Sequence, residues 1–189
     1  MINFDHTKKT ILRKEDKSKK GSYDERVIPL CDSINKKKDY FTLSSCSGRI
    51  LLMTVPESER KDIVDWLVVT HDLAKPGDFL KEIHSYAGKE KLLLKQESAI
   101  FHICCRTLDD AQQLIDLANR SGFKKAGILG TRKKIVVEIV CPESLSVPVF
   151  DGRKLVTDEY MKYVLKLSNE KLKKSWKALE KLKTAFSFL

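Results

Sequence analysis

The fold is decided by the stretch Tyr40-Phe41-Thr42-Leu43-Ser44-Ser45-Cys46-Ser47-Gly48-Arg49-Ile50-Leu51-Leu52-Met53-Thr54-Val55. Its two ends have the β-branched, aromatic and aliphatic side chains that are typical of strands. The middle, residues 44–49, carries three hydroxyls, a thiol, a glycine and a guanidinium instead. The pattern predicts two strands joined by a polar corner, placed at a sheet edge that faces a cleft.

The polar corner has the chemistry of a binding site. Gly48 can adopt a positive φ or let a ligand approach the backbone, because it has no Cβ. Arg49 presents a planar fork of donors that matches a carboxylate or a phosphate. An ordinary hairpin turn is the alternative interpretation, since Ser and Gly are frequent in turns.

Length and composition indicate a globular protein. With 189 residues and 42% hydrophobic content, the chain can form one domain over residues 1–189, or two fused strand-helix halves. It lacks an apolar run of the ~18 residues that a membrane span needs. Residues 1–6 lead into lysines rather than into the apolar centre of a signal peptide. We therefore expect a cytoplasmic protein without a membrane partner.

The charge balance predicts a polyanionic partner. The chain has 36 Lys and Arg against 26 Asp and Glu, a formal net charge of +10 and a pI near 9.3. Nucleic acid is the first candidate for that partner. Lysine-rich surfaces also arise from proteome-wide bias, so charge alone does not name it.

The first half of the chain is expected to contain two helices and three strands. Residues 8–20 are basic and predict a solvated helix or a mobile arm. A short helix follows from Ser22, with Pro29 in its first turn or with a later start. After the two strands around the polar corner, residues 65–71 predict a third. Pro76 then begins a helix that ends near Gly88.

The second half repeats a strand-helix-strand pattern. Residues 92–94 and 100–104 predict two strands, and Thr107 begins a helix with a capping box that ends at Gly122. Further strands are expected at 126–129, 135–141 and 147–150. The fold class is therefore α+β, with a mixed β-sheet packed with helices.

A long amphipathic helix closes the chain. From Thr157 to about Phe186, apolar side chains recur with a period of 3.6 residues. The lysines between them form either a basic ridge for RNA or an ordinary solvated face; they are Lys162, Lys166, Lys173, Lys174, Lys177, Lys181 and Lys183.

Nucleotide-binding motifs are missing from the sequence. No GxGxxG follows a strand and there is no Walker A sequence, so the fold is not of the Rossmann type. A nucleotide-like cofactor would need another pocket, which the backbone N–H groups of residues 45–48 could supply.

Cysteine chemistry has three interpretations. The five cysteines include no CxxC pair, which argues against disulfides and zinc fingers. Cys46 could act as a nucleophile with His71 and Arg49 nearby, or it could simply be a packed residue. A scattered metal site would use His71, His102, Cys104 and Cys46, but it requires three strands to converge, and we expect no metal.

Several ordered motifs together resemble the tRNA wybutosine-synthesising protein 3 family of S-adenosylmethionine-dependent tRNA methyltransferases. The family hallmark Ser-Ser-Cys-Ser/Ala-Gly-Arg-Ile is similar to Ser44–Ile50. The other matching blocks are Lys20–Glu25, Trp66–His71, His102–Gln112, Ser121–Phe123 and Val156–Tyr160. Leu43 and Asp72 depart from the family pattern without removing a plausible catalytic group.

The resemblance implies a reaction and its partners. The expected activity is transfer of a methyl group from S-adenosylmethionine to a ring nitrogen of a tricyclic, wyosine-type guanosine beside the anticodon of phenylalanine tRNA. It implies no obligate protein partner. The competing functions are a non-catalytic RNA-binding protein and a cysteine- or metal-dependent RNA-modifying enzyme.

The resemblance also suggests roles for the matching residues. His71 is the expected base, with Arg49, Ser45 and Cys46 in the catalytic set. Donor binding is assigned to Ser44, Ser45, Gly48 and Arg49, with Arg49 on the methionine carboxylate or a phosphate. Substrate binding is assigned to Asp24, Trp66, His102 and Arg106. Trp66 could instead belong to the core, and Asp24 could instead hold Arg49.

Overall fold

The computed structural model describes residues 3–13, 24–55 and 64–188. The predicted basic segment beyond residue 13, the Lys20–Tyr23 part of the first motif and the expected helix start at Ser22 lie outside these ranges. In chain order the described elements are α1 (Phe4–Leu12), α2 (Ile28–Lys36), β1 (Tyr40–Val55), β2 (Trp66–Thr70), α3 (Pro76–Ser85), β3 (Lys91–Cys105), α4 (Leu108–Ser121), β4 (Lys125–Gly130), β5 (Ile135–Val140), β6 (Leu145–Phe150) and α5 (Asp158–Ser187).

Within the described residues, six strands form the sheet. Their order is β2-β1-β3-β5-β4, and β6 pairs with β3. The strand pairs β1–β2, β3–β5, β3–β6 and β4–β5 are antiparallel. The expected α+β class and the C-terminal helix are confirmed, and the sheet is antiparallel where the sequence suggested a mixed one.

The predicted polar corner is wrong. Residues 40–55 form one uninterrupted strand, so the polar run lies inside β1, which has β2 and β3 as neighbours in the strand order. The run contains no Pro, and small Ser and Cys side chains are compatible with extended backbone. Its only conformational exception is Gly48, which has a φ of +98°. The strands expected at 92–94 and 100–104 are likewise one strand, β3.

The chain divides into two compact units. Unit 1 comprises Met1–Ser47, Ala99–Pro142 and Ser175–Leu189, and unit 2 comprises Gly48–Ser98 and Glu143–Lys174. The chain passes between them within the continuous elements β1, β3 and α5. The expectation of one domain over 1–189, or of two fused halves, stays a prediction.

The core of unit 1 lies on one face of its strands. Phe101 and Ile103 of β3 and Val137 and Ile139 of β5 are completely buried, and they alternate with less buried residues as the two-residue period of a strand requires. Apolar faces of α2, α4 and α5 complete this cluster, through Leu30, Ile34, Leu114, Ala118, Leu179, Leu182 and Phe186. The opposite face of these strands carries His102 and Glu138 between the apolar pairs Ile100–Val140 and Cys104–Val136.

Unit 2 is crowded around Gly48. A Cβ on this residue would lie 2.7 Å from the Glu97 carbonyl oxygen and 2.8 Å from Cδ1 of Leu172. Those distances are below any normal contact, and the positive φ is rarely adopted by L side chains. Glycine is therefore required in the middle of β1 for packing as well as for backbone conformation.

The C-terminal helix has the predicted amphipathic pattern. Met161, Val164, Leu165 and Leu172 are buried in the part that belongs to unit 2, whereas Tyr160 is 47% exposed. In the part of the chain that the structure describes, no helix is both long and apolar enough to cross a bilayer.

Helix α4 shows both predicted end signals. The Thr107 side chain accepts from the Asp110 backbone N–H at 3.1 Å, and Asp110 Oδ2 accepts from the Thr107 backbone N–H at 2.9 Å. Gly122 ends the helix with a φ of +109°. The capping box satisfies two backbone donors that a helix start otherwise leaves unpaired.

Thr107→Ala is expected to destabilise the protein by about 1 kcal/mol, because it removes the side-chain half of this capping box. The measurement is the free energy of unfolding from urea titration. Thr131→Ala is the matched control, since Thr131 is exposed and lies outside the helices and strands. Equal unfolding midpoints for the two variants would show that the cap contributes nothing to stability.

Candidate active site

A hydrogen-bonded row of three side chains crosses the strands of unit 1. Ser44 Oγ lies 2.7 Å from His102 Nδ1, and His102 Nε2 lies 2.9 Å from Glu138 Oε2. Ser44 belongs to β1, His102 to β3 and Glu138 to β5. The row therefore links a hydroxyl, an imidazole and a carboxylate, the three types of group from which proton relays are built.

The chemistry of the groups sets the direction of the hydrogen bonds. An ionised carboxylate only accepts, so the proton of a neutral His102 belongs on Nε2, facing Glu138. The Nδ1 lone pair then faces Ser44, whose hydroxyl donates to it. This arrangement makes the Ser44 oxygen more electron-rich than that of an isolated serine.

Strand register positions the row. His102 and Glu138 are direct partners in the antiparallel pair of β3 and β5, and such partners share a face of the sheet. Because Phe101, Ile103, Val137 and Ile139 face the core, His102 and Glu138 face away from it. On β4, Gly127 is the partner of Glu138, and nothing lies within 4 Å of where its Cβ would be. The row thus ends beside an open part of the sheet at Gly127.

Two further hallmark residues have partners in unit 1. The Cys31 thiol donates to Ser45 Oγ at 3.4 Å, and the Ser47 backbone N–H donates to Asp24 Oδ2 at 2.7 Å. Asp24, predicted to bind substrate, therefore holds the backbone of the hallmark run. The partner of Ser45, Cys31, belongs to α2, so this hydrogen bond connects the hallmark run to that helix.

In unit 2, Arg49 forms an ion pair with Glu97. Arg49 Nε lies 2.6 Å from Glu97 Oε2, and Lys95 Nζ lies 3.6 Å from Glu97 Oε1. The guanidinium carbon lies 4.5 Å from the centre of the Trp66 ring, which is a cation–π distance. Trp66 is 38% exposed, so its alternative assignment to the core is wrong. The guanidinium also carries four N–H donors on its Nη atoms, oriented by the contacts at Nε and the ring.

His71 lies just beyond β2 and contacts the hallmark run. Its Nδ1 lies 3.0 Å from the Gly48 carbonyl oxygen. A carbonyl can only accept, so Nδ1 carries a proton and a neutral His71 has its lone pair on Nε2. The pairing of Ile50 with Thr70 places this contact at the end of the β1–β2 ladder.

Arg106 uses its guanidinium to hold the first helix. It donates to Asp39 Oδ1 at 2.8 Å, to both carboxylate oxygens of Asp5 and to the Lys38 carbonyl, and it lies over the Phe4 ring. The hydrogen bond from Arg106 lowers the pKa of Asp5. This contact is present above the ordinary pKa of an aspartate and is lost as the pH falls through the lowered value. The geometry thus gives Arg106 a structural role beside its predicted substrate contact.

The scattered metal site considered in the sequence analysis loses His102 as a ligand. Both ring nitrogens of His102 are within hydrogen-bond distance of Ser44 or Glu138, so this histidine already has partners for both. Burial also raises the pKa of the Cys104 thiol to about 11 and raises that of Cys105. Cys104 is therefore protonated near neutral pH and is a poor nucleophile.

Sequence reasoning missed two carboxylates, Glu138 and Glu97. Glu138 is the only charged residue in the strand Ile135–Val140. A charge in the middle of such an apolar strand was a signal that a partner lies opposite. Glu97 gave a weaker signal, because Lys95, Gln96 and Ser98 around it are also polar.

Comparison with known proteins adds to this geometry. Residues 6–187 match the family model described as "Methyltransferase TYW3". The chain belongs to this methyltransferase family. The resemblance seen in the motifs is thereby confirmed, and the protein is an enzyme that requires a methyl donor.

Individual relatives agree with this membership. A tRNA wybutosine-synthesizing protein 3 homolog of Xenopus laevis is 37% identical over 177 residues, which cover 91% of this chain and 70% of the relative. A Thermococcus sibiricus protein is 37% identical over 95% of this chain and 92% of its own, and is named tRNA(Phe) 7-((3-amino-3-carboxypropyl)-4-demethylwyosine(37)-N(4))-methyltransferase. The solved structure of the PH1069 protein from Pyrococcus horikoshii has a TM-score of 0.89 and 32% identity, covering 97% of this chain and 96% of that one.

Thiol labelling is expected to separate Cys46 from the other cysteines. With iodoacetamide near neutral pH, Cys46 reacts first, because it is half-buried whereas Cys31, Cys104, Cys105 and Cys141 are buried. Burial also raises the pKa of Cys31, Cys104 and Cys105, which keeps these thiols protonated. Peptide mass spectrometry of the native and the urea-unfolded protein gives the order of labelling. Native labelling of Cys104 as fast as Cys46 would contradict this assignment.

Proposed function

We propose that this methyltransferase transfers a methyl group from S-adenosylmethionine to a ring nitrogen of a tricyclic, wyosine-type base beside the anticodon of phenylalanine tRNA. The family membership and the name of the Thermococcus relative support this substrate. The observation in this chain that carries the proposal is the Ser44–His102–Glu138 row, which offers a place for the proton of the acceptor nitrogen. The expected cytoplasmic location stays a prediction.

Arg49 is proposed to bind the carboxylate of the methyl donor. The ion pair with Glu97 and the contact with the Trp66 ring hold the guanidinium in one orientation, and an oriented guanidinium can bind a carboxylate through two parallel hydrogen bonds. The residues present therefore fit an amino-acid carboxylate. When bound, S-adenosylmethionine supplies a methyl group on a sulfonium sulfur. Gly48, Ser44 and Ser45 keep their proposed donor-binding roles.

The proton of the acceptor nitrogen is proposed to leave through the row. Methyl transfer would form the new N–CH3 bond and break the S–CH3 bond of the donor, which would leave as a thioether. The ring N–H proton would pass to Ser44 Oγ, and the Ser44 hydroxyl proton would pass to His102 Nδ1. His102 then becomes an imidazolium, and the Glu138 carboxylate 2.9 Å away stabilises its charge. Glu138 is thus a positioning residue, which sets the tautomer of His102 before the transfer.

His71 remains a second candidate base. Its Nδ1 proton is held by the Gly48 carbonyl, which puts the lone pair of a neutral ring on Nε2. Cys46 stays in the proposed catalytic set. Trp66, 38% exposed, offers ring surface for stacking on a flat base, and Asp24 would act by holding the Ser47 backbone.

Direct methylation is expected with phenylalanine tRNA that carries the demethylated tricyclic precursor. Incubation with this protein and S-adenosylmethionine should add one methyl group to that base, as measured by nucleoside mass spectrometry. The control omits the donor. Tight tRNA binding with no methyl gain would instead support a non-catalytic RNA-binding protein. Methylation that survives both Cys46→Ala and chelation would exclude the cysteine- or metal-dependent alternative.

Glu138→Gln is expected to lower kcat about 10- to 100-fold, because the glutamine can still accept from Nε2 but cannot stabilise an imidazolium. The affinities for tRNA and donor should change less than about twofold. Single-turnover kinetics and equilibrium binding give these values separately. Ser44→Ala and His102→Ala should also lower kcat, and Glu138→Asp should restore part of it.

Glu170→Gln is the matched control, since it removes one exposed carboxylate on α5. His71→Ala distinguishes the two candidate bases. Near-normal kcat in Glu138→Gln and His102→Ala, together with a severe loss in His71→Ala, would assign the base to His71 and contradict the relay.

A further inference from the structure

The hairpin formed by β4 and β5 carries a concentration of positive charge. Six basic residues fall between residues 117 and 137, and no acidic residue lies among them. They are Arg120, Lys124, Lys125, Arg132, Lys133 and Lys134. Residues 124–134 are called the basic hairpin below. β4 and β5 are adjacent antiparallel strands joined by a short loop. The basic residues of β4 and of the loop therefore lie on one hairpin.

These charges are directed to solvent. Lys124, Lys125, Arg132 and Lys133 are all exposed. Lys124 donates to the carbonyl of Asn119, but no ion pair to Lys125, Arg132 or Lys133 is found among residues 3–13, 24–55 and 64–188. Helix α5 differs, because its lysines share the helix with four acidic residues and some are paired, as Lys171 is with Glu143.

The shape of the hairpin permits close approach by a nucleic-acid backbone. β4 is the last strand in the order of the sheet, so among the described residues one edge of β4 is not paired with another strand. Added Cβ atoms at Gly127 and Gly130 would meet nothing within 4 Å. Lysines on an edge strand also prevent edge-to-edge aggregation. That explanation does not account for Ile128 and Leu129, which are 41% and 60% exposed at the same place.

The hairpin and the Ser44–His102–Glu138 row share a face of the sheet. Lys125 is the register partner of Val140, and Gly127 is the partner of Glu138. Both therefore lie on the side of the strands away from the core of unit 1. In the strand order, β4 is one strand from Glu138, two from His102 and three from Ser44, so a polyanion bound along the hairpin would lie beside the Glu138 end of the row.

We propose that the basic hairpin binds the phosphate backbone of the substrate RNA next to the nucleotide that enters the row. This proposal rests on the proposed function, because it takes the partner to be tRNA. Lys125, Arg132 and Lys133 neutralise phosphates, and the exposed Leu129 packs against the sugars or bases of the adjacent loop. The lysines of α5 are not assigned to this contact, because acidic side chains lie among them.

The test is the charge-reversed triple variant Lys125→Glu, Arg132→Glu, Lys133→Glu. Its matched control is Lys162→Glu, Lys166→Glu, Lys173→Glu on the exposed face of α5. Each substitution replaces a positive side chain with a negative one and lowers the formal net charge by two. Three substitutions therefore lower it from +10 to +4 in both variants. Binding of phenylalanine tRNA is measured at several salt concentrations, and donor affinity is measured by calorimetry.

The hairpin variant should bind tRNA at least about tenfold more weakly near physiological salt, with the control within about threefold of the parent chain. The slope of log K against log salt should become shallower by about two to three, because each lost phosphate contact accounts for about 0.7 to 0.9. Donor affinity should stay unchanged. A neutral version with Gln at the same three positions should show the same order of effects if charge reversal impairs folding.

Equal losses in both variants would overturn the proposal, since only net charge would then matter. Unchanged tRNA binding by the hairpin variant would overturn it as well. Loss of binding to phosphatidylserine vesicles without loss of tRNA binding would assign the hairpin to a membrane surface instead. Methylation by the parent chain is scored separately: if it binds tRNA through the hairpin without methylating it, the proposed function fails and the hairpin proposal stands.

Discussion

Strand β3 is the constraint on which the rest of the structure depends. It pairs with β5 through residues 100–105 and with β6 through residues 92–96, and it neighbours β1 in the strand order. A shift of one residue in its register with β5 would turn Phe101 and Ile103 away from the core and His102 into it. Burial of those apolar side chains therefore holds His102 opposite Glu138. In this way the hydrophobic core fixes the geometry of a polar site on the other face of the same strands.

Local signals in the sequence predicted the helices well and the strand ends poorly. The capping box at Thr107 and the glycine at position 122 act within a few residues of each other, so α4 could be placed from sequence. The Ser44–Arg49 run was interpreted as a corner because its composition is that of a turn. In the protein, the run is part of the continuous strand β1, which lies between β2 and β3 in the strand order, and this sheet environment cannot be seen in one segment alone.

The site residues show the same division between local and non-local information. The motif contained Ser44, Arg49, His71 and His102, and the structure gives each of them a polar partner. Glu138 and Glu97 were missed because their importance comes from residues 36 and 48 positions away in the chain. Arg106 was expected to bind substrate from its place in a motif, but its donors hold Asp5 and Asp39. A motif identifies residues that matter, whereas the role of each residue has to be argued from its contacts in the folded protein.

The lack of a Rossmann signature has a physical consequence for how a methyl donor can be held. A glycine-rich loop at a helix N-terminus binds diphosphate through backbone N–H groups and the helix dipole. S-adenosylmethionine has no phosphate, and its charged groups are an amino acid and a sulfonium. For such a ligand an oriented guanidinium is an alternative to a helix N-terminus, because it pairs with a carboxylate in two-point geometry. Arg49, held between Glu97 and Trp66, meets that requirement from the middle of a strand. A sheet-based methyltransferase can therefore hold its methyl donor without a glycine-rich loop if, as we propose, a guanidinium on a strand binds the donor's carboxylate.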